Sequence, residues 1–134
     1  MYRTVTSPIL AGAILGVLVC AGCKDDTGLA IQVKDAATAQ QWQAWALGVL
    51  ERAKTNSTLP QSSEWPAFVH GIKAPAADWQ LVLGRNGSSS NISLVSLGGS
   101  CSFGIDVGGP TFVEPPNPNE HRTRVYPGIY VVSN

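Results

Sequence analysis

Charge is scarce in this chain of 134 residues: only 13% of its side chains are Asp, Glu, Lys or Arg, nine basic against nine acidic. Nucleic-acid binding needs a basic stripe or patch, and no long run of one sign occurs, so that class is excluded. A chain kept disordered by charge needs high net charge and few apolar residues; here the formal net charge is zero and 44% of residues are hydrophobic. Long apolar runs are missing too. The longest, over residues 9–22, falls short of the about 20 residues needed to cross a bilayer core. No repeat period or low-complexity tract is present.

What the chain does contain is turn residues, with 14 Gly and nine Pro, and one informative terminus. Arg3 gives a short positive start, residues 9–22 are apolar, Ala21 and Gly22 are small, and Cys23 is followed by the charged Lys24, Asp25 and Asp26. That is the pattern of an exported, processed segment. On these residues the terminus resembles the bacterial lipoproteins, whose signal ends in a lipobox, here Ala21-Gly22-Cys23, with Cys20 where the family usually has Leu or Val. The resemblance implies cleavage before Cys23, diacylglycerol on its sulfur, and acylation of the new amino terminus. It also implies a membrane partner reached through the lipid. Lys24 after the cysteine, where Asp tends to retain family members in the inner membrane, points to the outer membrane facing the periplasm. Each buried CH₂ contributes about 0.8 kcal/mol, so one acyl chain holds weakly and two or three hold firmly. The alternative is an uncleaved membrane anchor.

This divides the chain into a signal peptide at 1–22, a lipidated cysteine and tether at 23–34, and a single globular domain at 35–134, enough for one core. Within the domain, Asp35 is placed to cap a helix carrying Trp42, Trp45, Ala46, Val49, Leu50 and Ala53 on one stripe, with Gln41, Gln43, Glu51 and Arg52 off it. Residues 29–33 form a brief apolar segment, either a small strand or a first contact with the domain. Ser63 precedes a second short helix ending at Gly71, with His70 in its last turn. From Asp78 onward the periodicity is extended. Strands are expected over 79–83, 91–97, 101–107 and 125–132, the third half-buried with Cys101, Phe103, Ile105 and Val107 inward and Asp106 outward. The prolines at 115, 116 and 118 mark a surface excursion. The expected class is α+β: an amino-terminal helix and a short second helix packed on a roughly four-stranded antiparallel sheet. This order resembles the globular heads of pilins, but the chain lacks that family's processing site, so a pilin-like structural subunit stands only as an alternative.

Chemistry is sparse after residue 22. Two His and a single remaining thiol, Cys101, offer no metal-ligand spacing, Gly98-Gly99 and Gly108-Gly109 open no phosphate-binding helix, and no cofactor is expected. Cys101 reads as a core residue. An enzyme alternative, a cell-wall cysteine hydrolase, would take Cys101 as nucleophile, His121 or His70 as base and Asp106 as orienter, although Ser100-Cys101-Ser102 is not the Asp-Cys-Ser/Thr context of the peptidases with that order. The best binding candidate is the stretch from Glu120 to Arg124 beside Tyr126. There His121, Arg122, Arg124 and Tyr126 would meet an anionic glycan, a phosphate head group or an acidic envelope protein. The competing reading is an edge strand guarded by charge. A non-enzymatic binding or assembly module is favoured, with assembly predicting an exposed apolar patch.

Overall fold

A computed structural model describes residues 27–72, 78–84, 90–97 and 102–133. The lipobox, with Cys20 and Cys23, and the candidate nucleophile Cys101 lie outside them. Among the described residues no helix is long and apolar enough to cross a membrane.

The elements are helices α1 (Thr27–Val33), α2 (Ala36–Asn56) and α3 (Ala67–His70), a 3₁₀ turn at Ser62–Glu64, and strands β1 (Asp78–Leu83), β2 (Asn91–Leu97), β3 (Phe103–Gly108), β4 (His121–Tyr126) and β5 (Ile129–Ser133). The strands form one antiparallel sheet of five in the order β1-β2-β3-β5-β4. The α+β class expected from the sequence is the one observed. The strand count rises because the last extended run is a hairpin. Gly128, at φ +86°, turns the chain after Pro127, and a Cβ there would overlap the Gly109 carbonyl oxygen. β5 therefore inserts beside β3 and leaves β4 on the edge.

α2 starts where its cap predicts: the Thr38 amide donates to Asp35 Oδ2 at 3.2 Å. It ends at Ser57 (φ 56°), whose amide donates to the Ala53 carbonyl at 3.0 Å. Ala39, Trp42, Ala46, Val49 and Leu50 are buried along one stripe, and Trp45 is half-buried. Trp42 meets Trp45 and Phe68 edge to face at centroid distances of 5.8 and 5.5 Å, and Trp45 meets Trp65 at 6.4 Å. These rings fasten the 3₁₀ turn and α3 to α2. The second helix expected around residues 63–71 is thus two short pieces, separated at Pro66, which supplies the cap of α3.

The segment read as a tether contributes to packing. Leu29 and Val33, four apart on α1, are buried in the same core as the α2 stripe. Gln43, expected off that stripe, is also buried. Its Nε2 donates to the Gly108 carbonyl at 3.2 Å and the Pro127 carbonyl at 2.6 Å, joining α2 to the end of β3 and to the β4–β5 turn.

Candidate functional site

Cross-strand pairing assigns the paired strand residues to faces. Leu94 pairs with Leu81 and Ile105, Ile105 with Val131, and Val107 with Ile92 and Ile129; with the α2 stripe these make the core. On the opposite face Asp106 pairs with Ser93 and Tyr130, Val132 with Gly104 and Arg122, and Tyr130 with Arg124. An uncovered sheet would leave this outer face wet. Instead β3 and β5 are buried on both faces, Asp106 completely, which corrects the expectation of a half-buried third strand.

The cover is the excursion after β3. Phe112 lies over Gly108, where a Cβ would come within 2.6 Å of its ring, and its ring meets Tyr130 edge to face at 5.8 Å. Glu114 then descends to Arg122 on β4. The prolines that follow keep the loop out of the sheet, and Asn117 fixes its return, donating from Nδ2 to Glu120 Oε1 at 2.8 Å and accepting the Asn119 amide at 3.0 Å.

Under this loop Arg122 has a side chain only 10% exposed, with Nη2 3.6 Å from Glu114 Oε1 and 3.5 Å from Glu120 Oε2. Charge-assisted hydrogen bonds run at about 2.7–2.9 Å, so these contacts balance charge without forming hydrogen bonds. Nε, Nη1 and Nη2 of Arg122 and Oε2 of Glu120 are buried with no hydrogen-bond partner among the described residues. Arg122 and Glu120 line a cavity of about 380 Å³ together with Glu114, Pro116, Asn117, Arg124 and Tyr130.

The four side chains expected to act together are therefore divided. Arg122 and Arg124 share the outer face and the cavity. His121 is exposed and, by strand alternation, points away from it. Tyr126 is carried to the helix side, because an irregularity between Arg124 and Tyr126 shifts the register by one and pairs Tyr126 with Ile129. There it packs against the core and its Oη accepts from Gln40 Nε2 at 3.5 Å. Tyr130 supplies the aromatic ring of the cavity. Glu114 and Tyr130 were not marked by any sequence pattern, and Glu120 was visible only as a neighbour of the basic stretch.

A second depression of about 330 Å³ lies between α2 and the 3₁₀ turn. At its rim Arg52 Nη1 donates to Glu64 Oε1 at 3.2 Å, so this pair already satisfies itself. Of the residues named for hydrolase chemistry, His70 is exposed and tilts over Trp65 at 5.9 Å, His121 is exposed, and Asp106 is buried on the outer face. Among the described residues no three His, Cys, Asp or Glu side chains are grouped to hold a metal. No family model, curated protein or solved structure matches the chain.

Proposed function

We propose that the chain is a lipid-anchored, non-enzymatic binding module of a bacterial envelope, and that its ligand or envelope partner is held in the cavity beneath residues 109–120. The anchoring half rests on Ala21-Gly22-Cys23 and its flanks. The binding half is carried by one observation: Arg122, a residue of the cavity lining, has a buried guanidinium whose donors find no hydrogen-bond partner among the described residues. Buried donors are ordinarily satisfied, and those that are not mark places where water or a ligand completes the set. A tethered module also needs little intrinsic affinity, since the anchor raises its local concentration at the surface.

Intact mass of the full chain recovered from bacterial membranes checks the anchor. The expected product begins at Cys23 and carries lipid, while Cys23→Ser leaves the chain uncleaved and free of lipid; an uncleaved wild-type chain without lipid would reject it. Association of the full chain with purified envelope material checks the cavity through Arg124, which is exposed and can be changed without disturbing the core. Arg124→Glu should weaken association by about tenfold, the loss of one charged hydrogen bond. Unchanged association removes the cavity from the reading. Arg122 is unsuited to this comparison, because removing it leaves Glu114 and Glu120 without their shared cation.

A further inference from the structure

We infer that the cavity under the 109–120 loop takes a neutral polyhydroxylated ligand, a sugar ring or short oligosaccharide, rather than an anion. The inference deepens the binding reading and rests on it. Charge is the first argument. Arg122 and Arg124 bring two positive charges to the lining and Glu114 and Glu120 two negative ones, so the formal sum is zero. An incoming phosphate, sulfate or carboxylate that reached the Arg122 guanidinium would have to approach two carboxylates lying 3.5 and 3.6 Å from its Nη2. Like charges at such range repel, and screening by solvent is weak where the side chains of Arg122, Glu114 and Glu120 are only 10%, 4% and 15% exposed.

The second argument is the kind of atom left incomplete. Arg122 offers donors at Nε, Nη1 and Nη2, and Glu120 offers an acceptor at Oε2. An anion satisfies only the donors. A hydroxyl group both donates and accepts, so one hydroxyl can accept from Arg122 and donate to Glu120 Oε2, and a neighbouring hydroxyl can reach Nε or Nη1. Paired hydroxyls on adjacent carbons match the planar fork of a guanidinium with a carboxylate beside it. The third argument is the remaining lining. Tyr130 and Pro116 add apolar surface, Asn117 a polar side chain and Arg124 an exposed donor at the mouth. The volume of about 380 Å³ lies at the lower end of the range for small-molecule sites, roughly 300–1,000 Å³.

The test uses the full lipidated chain in detergent, with the Arg122 Nε–Hε resonance followed by NMR. One series contains neutral disaccharides: chitobiose, maltose and trehalose. The other contains inorganic phosphate and sulfate. The expected result is a saturable shift with at least one disaccharide, insensitive to salt and weakened at least about tenfold by Glu120→Gln, with no saturable shift from either anion. Glu120→Gln keeps the side-chain shape, and an unchanged far-ultraviolet spectrum and melting temperature separate lost binding from lost folding. A saturable shift with phosphate or sulfate alone overturns the ligand class while leaving the cavity a binding site. No shift in either series, with ordered water alone on the Arg122 donors, overturns the inference. Whether the binding reading falls with it is then decided by the Arg124→Glu association measurement.

Discussion

Against α2 the sheet presents Ile92, Leu94, Ile105, Val107, Ile129 and Val131; on the other side of the same strands lie Ser93, Asp106, Arg122, Tyr130 and Val132. Both layers are withdrawn from water at β3 and β5. The inner layer is closed by a helix whose stripe repeats at helical spacing, so apolar side chains meet apolar side chains and shape alone decides the fit. The outer layer is closed by a loop, which has no periodic face. It is held by Phe112, which lies over Gly108 and meets Tyr130 edge to face, and by a charge cluster in which Arg122 balances Glu114 and Glu120 without a hydrogen bond to either. The first kind of closure rests on apolar contact, and the second leaves a cluster of buried charged atoms without hydrogen-bond partners among the described residues.

The comparison breaks most sharply under substitution. Ile105→Ala on the inner face should cost about 4 kcal/mol, from lost apolar contact plus an unfilled cavity in urea unfolding. A loss below about 1 kcal/mol would mean that the helix-covered layer can collapse around the gap and is not tightly packed. On the outer face Arg122→Met should cost about 3 kcal/mol despite its apolar, similarly long side chain, because Glu114 and Glu120 would remain buried beside one another without a cation. Adding Glu114→Gln and Glu120→Gln to Arg122→Met should restore most of that loss. If the triple variant is as unstable as the single one, charge balance is not what holds the loop.

Gln43 is the place where the inner layer departs from its own rule, and it sharpens the contrast. Gln43→Leu keeps the volume and suits an apolar stripe, yet it leaves the Gly108 and Pro127 carbonyls without their donor. The expected loss is about 2 kcal/mol, read as a lower urea midpoint with an unchanged slope. A neutral or stabilising result would show that these carbonyls find water and that the link between helix and turn is incidental.

These cases also mark how far the sequence could be read. The α2 stripe, its Asp35 cap and the inward members of β2 and β3 follow from periodicity and local hydrogen bonding, which a chain displays without knowing its neighbours. The β4–β5 hairpin was hidden because its strands are short and Pro127-Gly128 lies within a continuous apolar and aromatic run. The burial of Asp106 and the role of Glu114 depend on a loop folding back across the sheet, and the position of Tyr126 depends on one register shift. None of these has a local signature. Alternation alone brought Arg122 and Arg124 together; their counter-charges came from tertiary structure.

The smallest expected effect concerns an exposed charge pair, set against the buried one at Arg122. Glu64 accepts the Gln61 amide at Oε2 (2.8 Å) and Arg52 Nη1 at Oε1 (3.2 Å), and it is held below its ordinary 4.5, first by the hydrogen bond from the Gln61 backbone and then by Arg52. With the folded value depressed, the unfolded chain binds more protons between that value and 4.5, so stability rises with pH there. The contribution is complete above 4.5 and disappears as pH falls through the folded value. Arg52 and Glu64 are 41% and 45% exposed, so solvent screens the pair and the gain at neutral pH is slight. Glu64→Gln keeps an acceptor for the Gln61 amide and removes the titration. Its unfolding curve should nearly coincide with the parent's at pH 7 and show a shallower loss of stability on the acid side. An acid limb identical to the parent's would mean that this capping interaction is not coupled to folding, and that the acid sensitivity of the domain arises elsewhere.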